Sequence, residues 1–170
     1  MLEIKHLSVE LQTQRGPAFA IRDVGFSLKS GDTVGLVGES GCGKSITAMA
    51  LMGLLPESAK VTGSIQLDGQ ELVGQSDAVL RKLRGNRIGM IFQEPMTALN
   101  PVHTIGHQVA EPMRLHRHMG RDQARAQTIT LLERVGINNA AGRVDAYPHQ
   151  FSGGQRQRIS IARALAPDPR

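Results

Sequence analysis

The chain has 170 residues, 40% hydrophobic and 21% charged, which are the proportions of one globular domain long enough to bury a core. No apolar run approaches the roughly 20 residues of a membrane span, Met1 to Lys5 is no signal peptide, and a single cysteine excludes an internal disulfide, so a cytosolic chain is expected. A net charge of +5 invites nucleic acid, yet Lys and Arg read as scattered and aromatics make up only 3%, so no nucleic-acid partner is expected.

Leu2 to Leu11 alternates apolar and polar residues with the period of a half-buried strand. A turn cluster, Gln12 to Pro17, leads into a second strand over Phe19 to Leu28. Ser30-Gly31-Asp32 then turns the chain into a short apolar run, Thr33 to Val37, expected to be a buried strand.

Directly after it stands Gly38-Glu39-Ser40-Gly41-Cys42-Gly43-Lys44-Ser45, the spacing of a phosphate-cradling P-loop. Glycines at 38, 41 and 43 let backbone N–H groups approach phosphate oxygens, because a Cβ there blocks the approach or forbids the backbone angles. Lys44 adds a point charge for the β and γ phosphates, and Ser45 offers a hydroxyl to Mg²⁺. Lys44 to Leu54 reads as a helix, so its first amides, Ile46 included, also face the anion. Cys42 serves as a small loop residue, although a thiol beside a lysine and a helix start has the setting of a reactive one.

Farther on, Val61 to Leu67 reads as a strand, Asp68-Gly69 as a hairpin turn and Asp77 to Arg84 as a short helix. Arg87 to Phe92 is a buried-type strand ending at Gln93. Thr104 to His118 and Arg121 to Val135 are helical; the second places Ala124, Thr128, Leu131, Leu132 and Val135 on one face, with Gly136 as its C-cap. His116 and His118 fall on different sides of the first helix and read as surface residues, not metal ligands. Last come Phe151-Ser152-Gly153-Gly154-Gln155 and a helix over Arg156 to Ala166. A serine and two glycines at a helix start suit either a second anion site or an ordinary N-cap.

With the P-loop, Gln93 after a strand and Phe151 to Gln155 before a helix, in that order, the whole chain resembles the ATP-binding subunits of ABC transporters. Ile91 to Pro101 (IFQEPMTALNP) and Tyr147 to Phe151 (YPHQF) are similar to the oligopeptide/dipeptide/nickel importer branch. Phe151 replaces the leucine commonest at the head of the signature. The resemblance implies an α/β fold: a P-loop ATPase core with N-terminal antiparallel strands and a helical subdomain. Residues 1–100 would form the core, 101–152 the helical subdomain, and 153–170 the signature helix returning to the core.

The resemblance further implies that Gly38 to Ile46 hold ATP and Mg²⁺, with Lys44 and Gln93 catalytic and with Ser45 and Gln93 reaching the metal. Ser152, Gly153, Gly154 and Gln155 would contact the γ-phosphate of ATP on an opposite subunit. Phe19 is the candidate for stacking on adenine and, equally, a strand core residue. The implied partners are transmembrane permease subunits, a second ATP-binding subunit in a homo- or heterodimer and, indirectly, a periplasmic or extracellular solute-binding protein. The implied location is the cytoplasmic face of the inner membrane.

The family's Walker B aspartate, catalytic glutamate and switch histidine have no counterpart before Arg170. Asp168 sits in a proline-bounded turn, and Glu94 and His149 belong to other motifs. The expectation is therefore a fragment with an incomplete core sheet, cut from the ATPase of a peptide-type importer. Two rivals stand beside it: a nucleotide-binding fragment that never turns over, and a soluble ABC ATPase working on nucleic acid or ribosomes.

Overall fold

A computed structural model describes residues 1–92 and 98–169. They form two compact units, divided between Arg81 and Lys82.

The first unit is built on a four-stranded antiparallel sheet. Its strands are β1 (Leu2–Thr13), β2 (Gly16–Leu28), β3 (Lys60–Leu67) and β4 (Gln70–Glu71), in the spatial order β2-β1-β3-β4. Helix α1 (Lys44–Met52) lies between β2 and β3 in sequence, and α2 (Asp77–Leu83) follows β4. β1 takes partners on both sides: Ile4 faces Phe26 and Ile65, while Val9 faces Ile21 and Val61. Ile4, Leu7, Val9, Ile21 and Ile65 are buried.

The buried residues of β1 change parity between Ile4 and Leu7, and both ladders slip in register over the same residues. An extra residue in a strand does this, since side chains alternate with period two. The bulge lies at His6, with φ 50°, opposite Gly63, with φ 97°. A Cβ on Gly63 would stand 2.7 Å from the Lys5 carbonyl oxygen and closer still to that of His6. Only glycine lets β3 pass there. At the other end of β3, Asp68 and Gly69 both have positive φ, as the tight hairpin turn into β4 requires.

Two expected strands do not form. Thr33 to Val37 joins no ladder, and Val34 and Val37 are 54% and 93% exposed. Over Arg87 to Phe92 there is only an isolated bridge between Arg84 and Ile88, with Ile91 and Phe92 half exposed. A core parallel strand draws its hydrogen bonds and cover from flanking strands, and none among the described residues pairs with either run. The core sheet is incomplete.

The second unit is helical: α3 (Ile105–Arg117), α4 (Arg121–Arg134), the short α5 (Ala140–Arg143), a 3₁₀ turn (Pro148–Gln150) and α6 (Gly153–Leu165). Ile105, Val109, Met113, Leu132, Ile137, Val144, Phe151, Ile159 and Ala162 close into one core. The Thr104 hydroxyl caps α3 by accepting from the His107 N–H at 3.3 Å. After α4 the chain reverses at Gly136, with φ 78°, and the Ile137 N–H bonds back to Leu132 O. Arg125 grips Asp145 through two hydrogen bonds of 2.6 and 2.7 Å, a bidentate pair that raises the Arg125 pKa and lowers that of Asp145.

Basic residues are less scattered than the sequence suggested: thirteen of the twenty Lys and Arg, but only six of the fifteen acids, lie in residues 82–170. No helix among the described residues is long and apolar enough to cross a membrane.

Candidate nucleotide site

Gly38 to Ile46 form one continuous loop and helix start in the first unit. Gly41 and Gly43 have φ of 83° and 96°. A Cβ on Gly43 would lie 2.7 Å from the Ala20 carbonyl oxygen, so the loop's last glycine passes directly over β2. Gly38 needs its missing Cβ for another reason: Cys42 folds back, and its Sγ would stand 2.5 Å from that atom.

The Lys44 ammonium donates to the carbonyls of Gly38 and Glu39, each at 2.7 Å, and lies 3.4 Å from Cys42 Sγ. Its charge is thereby fixed at the entry of the loop. Helix α1 starts from Gly43 with no side-chain cap and no acidic residue in its first turn. Its first hydrogen bond runs from the Thr47 N–H to Gly43 O, so Lys44, Ser45 and Ile46 have no carbonyl four residues back to receive their amides. Unbonded N–H groups at a helix start, with the helix dipole behind them, have the chemistry that favours an anion. Ser45 is exposed at its edge.

Phe19 is 51% exposed and so is not a core residue; the Arg22 guanidinium lies 4.6 Å from its ring centroid. Because Ala20 underlies Gly43, β2 delivers Phe19 to the neighbourhood of the loop. Gln93, expected to reach the metal and the attacking water, lies outside the described residues.

In the second unit, Ser152 is the N-cap of α6. Its hydroxyl accepts from the Gln155 N–H at 3.3 Å, and Gln155 Oε1 accepts from the Ser152 N–H at 3.1 Å, a reciprocal capping box. Helix α6 therefore begins at Gly153, three residues earlier than the sequence indicated. Gly153 and Gly154 have no positive φ, and a Cβ on either would meet nothing within 4 Å. Nothing in the described chain requires glycine there.

The approach to Ser152 is held by two arginines that sequence reading missed. Arg156 Nε donates to Pro148 O (2.8 Å) and Phe151 O (3.0 Å), while Arg143 lies over the buried Phe151 ring at 4.1 Å and donates to Gln150 O at 3.2 Å. The Phe-Arg pairing could have been suspected from an aromatic at a position that usually carries leucine.

Asp168 pairs with Arg117 at 3.1 Å. No group of three or more metal-type ligands occurs among the described residues.

A family model described as ABC transporter matches residues 21–170. The chain belongs to the ABC transporter family. Over 170 residues this ABC transporter chain is 46% identical to the oligopeptide transport ATP-binding protein OppD of Mycobacterium tuberculosis, covering 99% of the chain and 28% of that protein. The protein of the same name from Haemophilus influenzae is also 46% identical, with all of the chain and 53% of the relative covered. Among solved structures, a dimeric ATP-binding cassette in a post-hydrolysis state with ADP and Pi has a TM-score of 0.88 and 28% identity, over 99% of this chain and 71% of that one. The chain thus spans between about a quarter and about half of these curated relatives' length. Family membership carries nucleotide binding with it.

Proposed function

We propose that the chain supplies the nucleotide-binding portion of an importer ATPase that couples ATP hydrolysis to uptake of peptides or related solutes. The observation that carries this is the loop at 38–46, where the Gly38 and Glu39 carbonyls hold the Lys44 ammonium and α1 starts with neither a side-chain cap nor an acidic residue. The whole-length similarity to proteins named for oligopeptide transport supports the choice of solute.

In this reading the triphosphate lies along the loop, its oxygens taking the amides of Gly41 to Ile46, with Glu39 and Ser40 at the rim and Lys44 neutralising charge on the β and γ phosphates. Phe19 stacks on adenine. Mg²⁺, held by Ser45 and Gln93, supplies further charge neutralisation on the transferring phosphoryl group. The fit rests on two features: a helix start with no acidic residue and an exposed serine hydroxyl beside it. Attack by water on the γ-phosphate is assisted by positioning and electrostatics and is completed by a second cassette.

The signature contributes the other half of that closure. Gly153 and Gly154 lack a reason within the described chain, which suits amides that receive a phosphate from outside. In the whole protein, residues 1–100 form the core, 101–152 the helical subdomain and 153–170 the signature helix. Permease subunits are the membrane partners, a solute-binding protein acts through them, and the location is the cytoplasmic face of the membrane.

The test is equilibrium binding of a fluorescent ATP analogue with Mg²⁺ to the purified chain and to Lys44→Ala. Loss of about tenfold or more in affinity is expected, since a charge-assisted contact contributes about 1.5–3 kcal/mol. Equal binding by both proteins would sink the assignment. Phosphate release in the same tubes separates turnover from binding alone.

A further inference from the structure

Every carbonyl between Tyr147 and Ser152 whose bond to an arginine is described is held from one of two directions. Arg156, inside α6, takes Pro148 O and Phe151 O; Arg143, at the end of α5, takes Gln150 O. Gln150 fastens the other end, with its amide donating to Tyr147 O (3.0 Å) and its Oε1 accepting from the Tyr147 N–H (2.8 Å). Arg143 does one thing more. Its guanidinium carbon lies 4.1 Å from the centroid of the ring of Phe151, a residue that is 3% exposed. A cation over an aromatic face is attracted by the ring quadrupole, more strongly when both are shielded from water. The planar fork of arginine can cover the ring and donate to the neighbouring carbonyl together, which an ammonium cannot do.

We propose that Arg143 is a positioning residue for the signature: by clamping Gln150 O and the Phe151 ring it sets the direction in which Ser152 and the amides of Gly153 and Gly154 face an incoming phosphate. This rests on the reading of the signature given above. The geometry favours it because Ser152 follows Phe151 directly and has a single extended conformation, φ −63° and ψ 162°, from which α6 starts. Two glycines next in line have no side chain with which to hold that direction against the rest of the unit. Something before them has to, and Arg143 joins them to the rest of the helical core through Phe151. It touches no phosphate, so its effect falls on turnover and not on capture of nucleotide at Lys44.

The experiment is steady-state ATP hydrolysis by the intact transporter carrying Arg143→Ala, Arg143→Lys, Phe151→Leu, the Arg143→Ala/Phe151→Leu pair, or Ser152→Ala, each with its melting temperature and its affinity for a fluorescent ATP analogue. Arg143→Ala is expected to lower kcat about tenfold while KM and analogue affinity stay within about twofold, with Arg143→Lys recovering only part of the loss. The double variant should be no worse than Arg143→Ala alone, since both remove one clamp. A kcat for Arg143→Ala within about twofold of the parent overturns the proposal, as does a fall in kcat matched by an equal fall in analogue affinity. If Arg143→Ala does not fold, Arg143→Lys and Phe151→Leu decide it: unchanged kcat in both overturns it. Ser152→Ala separates the two levels, because an unaffected Ser152→Ala removes the signature reading itself, whereas a crippled one beside an active Arg143→Ala removes only the role of Arg143.

Discussion

Two glycines of this chain look alike in sequence and are opposite in consequence. Gly63 sits at φ 97° with the His6 and Lys5 carbonyls where its Cβ would be, so Gly63→Ala must move β3 away from the bulge of β1. A destabilisation of about 2–3 kcal/mol is expected in urea unfolding, the scale of a strained backbone combined with overpacking. Gly153 faces open space at a helical φ, so Gly153→Ala should stabilise the fold by about 0.5–1 kcal/mol in the same assay while impairing ATP-dependent pairing of cassettes. Unfolding midpoints that move together would refute the distinction. At Glu71, burial pushes the pKa up, but the Ser64 hydroxyl and the amides of Ile65, Val73 and Leu72 outweigh it and hold the carboxyl below 4.5. A depressed folded pKa means stability that is complete above 4.5 and is lost as pH falls through the folded value. Glu71→Gln should therefore flatten the acid limb of a stability–pH curve and leave its slope near neutrality alone.

At the scale of elements, α4 carries one polar atom that finds no partner among the described residues: the buried Thr128 Oγ1. Thr128→Val keeps the shape and removes the unsatisfied hydroxyl, so the urea midpoint should rise by the equivalent of about 1 kcal/mol, and a fall would mean that the hydroxyl is hydrogen-bonded in solution. The helices were legible because their signals are local. Thr104 and Gly136 mark the ends of α3 and α4, and the stripe Ala124, Thr128, Leu131, Leu132 repeats within α4 itself. Strands depend on partners elsewhere, which is why Thr33 to Val37 has the composition of a buried strand and the exposure of a loop. β1 shows an intermediate case. Its parity slip between Ile4 and Leu7 stands in the sequence, but only pairing with both β2 and β3 reveals it as a bulge. The glycine turn that opens α1 was legible, since residue type and spacing mark it; the contact of Arg143 with Phe151 was not, because it crosses a turn that no period describes.

For the molecule as a whole, charge and hydrophobicity are unevenly shared. Most arginines lie beyond residue 81, and apolar side chains at Val34, Leu36 and Val37 face solvent in the first unit. Such a run favours association, as exposed apolar surface does generally. The sheet has a history as well as a shape. β1 meets β2 across a two-residue turn, yet its second neighbour, β3, arrives only after the phosphate loop and α1 have been traversed. Hairpins close in about 1–10 μs, and longer loops carry a larger entropic cost before their contacts repay it. The phosphate loop is thus strung across the span that the later pairing must close. In pulse-labelling during refolding, amides of β2 should be protected before those of β3, and simultaneous protection would contradict this order. Residues 38–46 follow the early hairpin and precede the late strand in the chain, and Gly43 over Ala20 ties them to β2, the side that forms first.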